Sequence, residues 1–442
     1  MLESRLQSYD KMKDSGVAWL GDIPEGWELK KLKRVLVFST GGTPSSHVMG
    51  YYDGDEPWVT IADLSGKYTS KFHTISKLGV KAASIPLVKT GSLLFSFKLS
   101  VGQVAFAHQD LYTNEAIASF EPLQSAHLNY WYYAMSLFLI KNAATNIYGA
   151  YILNQNLIKN AQLLAPPLPE QKAIADFLDK KTRLIDQAVT VKEQQIALLK
   201  ERKQILIQKA VTQGLNPTAP KRDSGVEWIG KIPKHWKVKR LKFLMTYFKG
   251  FAFKSEDFSD EGIRIVKASN IKRLQVSGNF SHISYSNQKS EFDRFKLKTG
   301  DVIISTVGSK PDIIESAVGQ LCSIDKNNNG SYLNQNTVCI RPNNLFNKDF
   351  LKFTFASKYM RANLDKNALW IANQAYLEID EILKSEVTLP QISEQTAIVA
   401  YIEKESIKID QAIDLSGQQI DKLKEYKATL INSAVTGKIK VV

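Results

Sequence analysis

Three short segments of the sequence come close to catalytic motifs, and each lacks a residue that the chemistry needs. Residues 225–231 have the glycine and lysine spacing of a phosphate-binding loop, but Ile232 stands where a serine or threonine must reach magnesium. Residues 311–317 contain an acidic pair typical of nucleases, yet alanine replaces the lysine that should follow it. Residues 165–168 are similar to a methyltransferase motif, but both outer residues differ. We therefore predict no catalytic centre in this chain.

Charge and composition favour binding to a polyanion. The chain has 58 lysine and arginine residues against 44 aspartate and glutamate residues, a formal net charge of +14. Such a field attracts nucleic acid, because neutralising phosphates releases counterions. The alternatives are a membrane surface as the partner, or a charge that serves solubility alone. Two cysteines are too few for a disulfide framework or a four-ligand zinc site, and the six histidines lack metal-ligand spacing. We expect a protein of the reducing cytoplasm that holds no metal.

Polar and basic residues in predicted loops are the candidates for contacting nucleic acid. Residues 39–47 offer hydroxyls and backbone donors that suit phosphates or base edges. Residues 267–273 add an asparagine and an arginine, which can read adenine and guanine with two hydrogen bonds each. Ordinary solvated turns have the same composition, so that interpretation stays open. The candidate DNA-binding residues are Thr43, Ser45, Ser46, His47, Lys67, Lys98, Lys254, Lys267, Ser269, Asn270, Lys272, Arg273, Ser309 and Lys310.

The elements that must position these residues occur twice, because the sequence is an internal repeat. The block that begins Asp14-Ser15-Gly16-Val17 returns 209 residues later, with 12 of the 20 positions from residue 14 identical. A second block, residues 170–212, returns 224 residues later with 21 of 43 positions identical. Between the two blocks only a skeleton of glycines and short motifs is shared. This pattern predicts two similar scaffolds that carry different surfaces.

Each second block predicts a long helix. Apolar residues from position 178 to 210 alternate in steps of four and three, which is a heptad seam, with lysines at two of its positions. The copy at residues 402–434 repeats the seam. Two such stripes in one chain would bury each other, and the repeat favours an antiparallel pair. Two amphipathic helices that pack on separate domains remain the alternative.

Residues 29–165 and 238–388 mix short β-rich runs with turn residues, which predicts α+β domains. The fold expected is thus two pseudo-symmetric α/β domains, which we call heads, separated by two long antiparallel coiled-coil helices. The predicted boundaries are a first head at 1–165, a first helix at 166–215, a linker at 216–222, a second head at 223–388 and a second helix at 389–442.

Several motifs together resemble the specificity subunits of type I restriction-modification enzymes. They are the repeated Asp-Ser-Gly-Val-x-Trp block, Gly41-Gly42-Thr43-Pro44-Ser45, residues 58–64 (Trp-Val-Thr-Ile-Ala-Asp-Leu) and Pro167-Leu168-Pro169-Glu170-Gln171. The resemblance covers nearly the whole chain. The second copy departs from it only at residues 390–395, Pro-Gln-Ile-Ser-Glu-Gln, where the second helix begins.

The resemblance implies a non-catalytic subunit that recognises DNA. Each head would read one half of a split, asymmetric DNA site, while the helices set the spacing and dock two modification subunits. S-adenosylmethionine, ATP and magnesium would belong to the modification and restriction subunits, and no cofactor to this chain. The residues expected in the spacer helices and in partner docking are Glu170, Gln171, Ile185, Ile196, Leu199, Glu394, Gln395, Ile409, Ile420 and Leu423.

Two interpretations of other classes remain. The first is an enzyme, a nuclease or methyltransferase that carries the same recognition domains in one polypeptide; an activity assay on the isolated chain tests it. The second is a coiled-coil scaffold without DNA recognition, which a gel-shift assay tests.

Overall fold

The two copies of the second repeated block form two long helices. In a computed structural model, which describes residues 7–124, 126–145, 149, 151–272, 274–309, 318–371 and 374–441, they are Leu168–Gln213 and Ile392–Val435. We call them the first and second long helices. Proline is tolerated in the first turn of the first helix because the first backbone N–H groups of a helix have no intrahelical partner. Within the described part of the chain, no helix has the length and apolar composition needed to cross a membrane.

The chain divides into two compact units. The first unit is Met1–Lys192 together with Gln418–Val442, and the second unit is Glu193–Gly417. Each unit therefore contains one head and a part of both long helices.

The first head is built on a four-stranded antiparallel sheet, its core sheet. The strands lie in the order Leu36–Thr40, Ile117–Pro122, Leu93–Ser96, Val104–Phe106. A small sheet of His73–Ile75, Glu56–Val59 and Tyr112–Thr113 lies beside it. Helix Leu128–Lys141 packs on the core sheet, and both contribute to one apolar core. The other elements are strands Met12–Asp14, Asp22–Pro24, Glu28–Lys31, Ala144–Thr145, Tyr151–Ile152 and Gln162–Ala165, and helices Lys77–Ala82 and Gln155–Asn160.

The second head repeats this plan. Its core sheet has the order Met245–Lys249, Thr337–Pro342, Val302–Ser305, Leu321–Ser323. Its small sheet has the order Phe258–Ser259, Ser281–Ile283, Ile263–Val266, Tyr332–Leu333. Two helices, Lys348–Ala356 and Lys358–Lys366, replace the single helix of the first head. The other elements are strands Lys221–Asp223, Lys231–Pro233, Lys237–Arg240, Ile271–Lys272, Gln275–Val276, Val307–Gly308, Leu369–Ile371, Gln374–Tyr376 and Glu386–Leu389, and helix Ile379–Lys384.

The identical order of the core-sheet strands confirms the predicted fold class, two pseudo-symmetric α+β heads with long helices. The predicted linker at 216–222 overlaps strand Lys221–Asp223, which pairs with Lys231–Pro233. The first repeated block thus forms a β-hairpin in both heads, and the second head begins with it.

In the first unit the two long helices run antiparallel. The hydroxyl of Tyr130 donates to the carbonyls of Leu164, just before the first helix, and of Val435, at the end of the second, at 3.0 and 3.3 Å. Further along, Lys427 Nζ lies 2.7 Å from the carboxylate of Asp186. Buried seam residues of both helices belong to the same apolar core as the head.

In the second unit the helices are also antiparallel. Thr388 Oγ1 donates to the carbonyl of Val211 at 2.6 Å, and Lys203 Nζ lies 2.7 Å from Asp410. Lys203 is one of the two lysines in the first seam, and Lys427 is the lysine of the second seam. Each exposed ion pair adds roughly 0.2–1 kcal/mol, so burial of the apolar seam supplies most of the stability. The ion pairs fix which turn of one helix faces which turn of the other.

Candidate nucleic-acid interface

The polar loop of the first head, residues 39–47, is held in place from below by two aromatic side chains. Tyr52 Oη donates to the carbonyl of Pro44 at 2.6 Å, and Trp58 Nε1 donates to the carbonyl of Gly42 at 3.2 Å. A Cβ at Gly41 would lie 2.0 Å from the carbonyl oxygen of Thr113, so only glycine allows this close approach of backbones. The anchored loop therefore has a defined course.

The candidate residues at the end of this loop face solvent. Ser45, Ser46 and His47 are exposed, and Thr43 is exposed but hydrogen-bonded to Glu115. Behind them lies an open cleft between Tyr52, Trp58, Thr60, Phe72, His73 and Thr74. Hydroxyls, an imidazole and aromatic faces are the groups that bind phosphates and bases. The geometry suits contact with nucleic acid.

The same position in the second head is apolar. Gly250 again allows a close backbone approach, since a Cβ there would lie 1.9 Å from the carbonyl oxygen of Asn334. Phe251 and Phe253 follow, and they pack with Phe292 and Tyr332 in an aromatic cluster. Lys254, the next candidate, is exposed. The second head therefore packs phenylalanines inward directly after the glycine, where the first head has a polar loop.

The other candidates of the second head lie in a tight turn, and the structure gives Asn270 a different role from the one expected. Asn270 is 1% exposed. Its Oδ1 accepts from the backbone N–H of Lys267, and its Nδ2 donates to the carbonyls of Ser277 and Asn279 at 3.2 and 3.0 Å. Because both amide hydrogens are used within the turn, Asn270 shapes the turn instead of reading a base.

Some of the candidate residues next to Asn270 are accessible to solvent. Ser269 and Lys272 are exposed, while Lys267 is half-buried and donates from Nζ to Ser281 Oγ at 2.8 Å. The carboxylate of Asp63 in the first head does the same work as the Asn270 amide, since it accepts from the backbone N–H of Thr60 at 2.9 Å. Both heads thus use one buried polar side chain to fix this turn.

The remaining candidates differ in accessibility. Lys98 is exposed, and Ser309 is half-buried with an interaction of its own. Lys67 is committed to an ion pair with Asp179 at 2.5 Å. Arg273 and Lys310 lie outside the described residues.

Positive charge is concentrated in one segment of each head. Residues 64–109 of the first head contain six lysines and no aspartate or glutamate. Residues 264–298 of the second head contain eight lysines and arginines against two acidic residues. These segments include parts of both small sheets and could neutralise several phosphates.

The candidates at the starts of the long helices are used inside the protein. Glu170 Oε2 accepts from Tyr9 Oη and from Trp27 Nε1, both at 2.9 Å. Burial, together with the hydrogen bond to Glu170, raises the pKa of the Tyr9 phenol well above its usual value. Glu394 lies 3.0 Å from His235 Nε2 in the second unit. These acids fasten each repeated hairpin to its helix.

The glutamines that follow these acids are buried. Gln171 accepts from the backbone N–H of His127 and donates to the carbonyl of Pro166. Gln395 accepts from the backbone N–H of Asn347 and donates to the carbonyls of Leu345 and Pro390. The seam candidates Ile185, Ile409 and Ile420 are buried, and Ile196, Leu199 and Leu423 are half-buried. All of these residues make contacts inside the protein that support the helix pair.

The first long helix carries a second row of apolar residues, outside the seam. Leu184, Val191, Leu198 and Ile205 follow one another at seven-residue spacing and are 50%, 50%, 64% and 42% exposed. The corresponding positions of the second long helix are Lys408, Leu415, Lys422 and Thr429, so the stripe belongs to one helix only. The heptad spacing is visible in the sequence, and the structure shows that these side chains remain exposed on the described chain.

Among the residues that the structure describes, no group of three or more histidine, cysteine or acidic side chains is placed to hold a metal ion. The surfaces described above consist of loops, aromatic faces and basic side chains.

Comparison with known proteins gives a consistent result. The family model for the type I restriction modification DNA specificity domain matches twice, at residues 24–199 and 233–425. The MjaVIII specificity subunit of a type I restriction enzyme from Methanocaldococcus jannaschii is 23% identical over 429 residues, which cover 95% of this chain and 94% of that protein.

Two solved structures share the fold. One comes from work on complex assembly and conformational transition of the type I restriction-modification system; it has a TM-score of 0.71 and 15% identity, and the match covers 93% of this chain and 98% of that one. The other is the HsdS subunit of Thermoanaerobacter tengcongensis, with a TM-score of 0.54 and 16% identity over 94% of this chain and 98% of that one.

Proposed function

Because this chain belongs to the type I restriction-modification DNA specificity family, we propose that each head reads one half of a bipartite DNA site. The observation that carries the proposal is the pair of heads with one scaffold and two unlike surfaces. The core sheets have the same strand order, whereas the polar loop of the first head corresponds to an aromatic cluster in the second. Two different surfaces on one scaffold favour an asymmetric site with unlike halves.

In the first head, the proposed contacts are Thr43, Ser45, Ser46 and His47, with exposed lysines such as Lys98 on the phosphates. In the second head they are Ser269, Lys272 and Lys254. Phosphate contacts fix the position of a protein on DNA, and base contacts supply the sequence preference. Lys267, Asn270 and Asp63 do not contact DNA in this proposal; their hydrogen bonds hold the turns in shape.

We propose that the long helices set the distance between the half-sites and dock the other subunits of the enzyme. The exposed stripe of Leu184, Val191, Leu198 and Ile205 favours docking, since a heptad-spaced apolar row fits another helix. The chain itself carries out no methylation, cleavage or ATP hydrolysis in this proposal. S-adenosylmethionine, ATP and magnesium bind to the modification and restriction subunits, in the cytoplasm.

The test of half-site reading is sequencing of methylated DNA from cells that express the chain with its modification subunits. We expect one bipartite methylated sequence with two unlike halves. Exchange of the second head for that of a relative should change one half only. A continuous site, or a change in both halves, contradicts the proposal. Methylation, cleavage or ATP hydrolysis by the purified chain alone would contradict its non-catalytic role.

The spacing role is tested by lengthening both long helices. Seven residues inserted after Ile196 and seven after Ile420 preserve the heptad phase and add roughly 10 Å at ~1.5 Å per residue. At ~3.4 Å per base pair, the unread gap should grow by about three base pairs while both halves stay the same. Insertion of four residues in each helix is the control, because it rotates the seam and should abolish assembly. An unchanged gap in an active seven-residue variant excludes the spacing role.

A further inference from the structure

Lys67 lies where three elements of the first unit meet. Its backbone carbonyl accepts from Phe106 N at 2.8 Å, on the edge strand of the core sheet. Its Nζ is 2.5 Å from Asp179 Oδ1 on the first long helix. The same ammonium lies 5.5 and 6.0 Å from the ring centroids of Tyr132 and Tyr133 on helix Leu128–Lys141.

The carboxylate of Asp179 is shared. Tyr133 Oη donates to Asp179 Oδ1 at 2.5 Å and lies 3.2 Å from Thr182 Oγ1. Lys67 and Asp179 are both only about one third exposed, at 29% and 33% of their side-chain surface. A partly buried ion pair with a second donor and two aromatic faces is held far more firmly than an exposed pair. The charge of Lys67 is therefore largely neutralised inside the unit.

We infer that Lys67 is a positioning residue, which fixes the segment that carries the small sheet of the first head against the first long helix. Residues 60–72 join two strands of that small sheet, and Lys67 is the point at which they are tied to the helix. The small sheet supplies Trp58 and His73, whose side chains line the cleft beneath the polar loop. Lys67 thus acts on recognition through the placement of these groups.

The second head has different side chains at two of these positions. His127 and Asn347 are equivalent, because each donates its backbone N–H to a buried glutamine, and on this count Phe353 stands in place of Tyr133. Glu403 stands in place of Asp179, 224 residues later. Phenylalanine has no hydroxyl, so the hydrogen bond from tyrosine to the carboxylate belongs to the first head. Loss of the link should accordingly affect one half-site.

This inference rests on the proposed function, and the test separates the two. The full chain, assembled with its modification subunits, is compared as wild type, Lys67→Met, Asp179→Asn and Tyr133→Phe. The control is Lys71→Met, which removes the same charge from an exposed position on the same segment. Two quantities are measured: methylation rates on duplexes with single-base changes in each half-site, and the salt dependence of binding.

A positioning role predicts that Lys67→Met lowers discrimination in the first half-site by about 5- to 20-fold, with the second half-site unchanged. The slope of log affinity against log salt should stay as in wild type. Asp179→Asn should give the same phenotype, and the double variant should be no worse than either single variant. Tyr133→Phe should give a smaller loss, and it keeps the inference testable if Lys67→Met folds poorly.

A direct phosphate contact gives the opposite result. Lys67→Met would then weaken binding to every sequence alike and reduce the salt slope by about one, as for any phosphate-binding lysine. That outcome, or unchanged discrimination in both Lys67→Met and Tyr133→Phe, overturns the inference. Absence of a bipartite preference in the wild-type complex would instead overturn the proposed function.

Discussion

In both heads the chain leaves the first strand of the core sheet by the same route, but the surfaces that follow differ in chemistry. In both, a glycine passes against the backbone of a neighbouring strand, at Gly41 and Gly250. In the first head the chain continues as an anchored polar loop. In the second it folds back into a cluster of phenylalanines. The comparison teaches that the close backbone approach is part of the scaffold, while the loop directly after it differs between the heads.

The largest effect expected from this comparison is at the two glycines. An alanine at Gly41 or Gly250 places a methyl group about 2 Å from a backbone oxygen, and such overpacking should cost about 3 kcal/mol in each head. Gly50→Ala is the control, since no atom lies within 4 Å of its Cβ position. Denaturant unfolding of the full chain measures the losses. Equal stability of Gly41→Ala and Gly50→Ala would contradict the shared-scaffold interpretation.

Labelling of the two cysteines can show which head a glycine substitution destabilises. Both lie in the second unit, and burial raises the pKa of the Cys322 thiol to about 12 and also raises that of Cys339. At pH 8 the native thiols should therefore react slowly with iodoacetamide. Gly250→Ala should speed labelling and Gly41→Ala should not. Because the raised pKa disfavours the thiolate in the folded state, the second unit should also lose stability as pH rises above about 9.

A smaller effect is expected at the surfaces. Replacement of Ser45, Ser46 and His47 by alanine should weaken recognition of the first half-site by ~1–3 kcal/mol for each lost bidentate contact, with the second half-site unaffected. Lys254→Ala is the matched change in the second head, and it should lower affinity without changing which sequence is methylated. Sequencing of methylated sites checks both. A change in the second half-site on mutation of the polar loop would break the comparison.

The helix starts offer a third comparison. Trp27 Nε1 donates to Glu170, whereas Trp236 Nε1 is buried without a hydrogen-bond partner among the described residues. Phenylalanine at either position leaves a similar cavity, but only at Trp27 does it remove a hydrogen bond to a carboxylate. Trp27→Phe should therefore cost about 1.5 kcal/mol more than Trp236→Phe in the free energy of unfolding. Equal losses in thermal unfolding would show that the bond to Glu170 adds nothing.

The smallest effect is expected at two equivalent positions of the long helices. Thr182 Oγ1 donates to the carbonyl of Leu178 at 2.7 Å, while Ser406 Oγ is buried without a partner in the described part of the chain. Ser406→Ala should be neutral or stabilise by up to about 1 kcal/mol, because it removes an unsatisfied polar group. Thr182→Ala should destabilise by about 1 kcal/mol. Denaturant midpoints distinguish the two signs.

Much of the fold follows from the sequence because the repeat and the heptad seam are regular. Twelve identities in one block and a seam of alternating steps predict two heads and two long helices, and the helices begin at Leu168 and Ile392. The lysines at positions 203 and 427 interrupt the apolar pattern of the seams. Each is matched by an aspartate on the other helix, a pairing that only the antiparallel register reveals.

The candidate site was less predictable, because accessibility depends on distant parts of the chain. Asn270 has a side chain that can read a base, but its Nδ2 donates to the carbonyls of Ser277 and Asn279, which come later in the chain. Lys67 has the charge of a phosphate contact, but Asp179 lies more than a hundred residues away and binds it. Ser45, Ser46 and His47 lie in a loop whose exposed course could be inferred from local composition alone.

The division of the chain into units has a consequence for biosynthesis. The second unit is one continuous segment, Glu193–Gly417, whereas the first needs Gln418–Val442 to complete its helix pair and its core. At roughly 5–20 residues per second, the ribosome takes about 10–45 s to pass from the end of the first segment to that last stretch. The head that is synthesised first is therefore completed after the other, and its apolar helix face stays uncovered until Gln418–Val442 has been made.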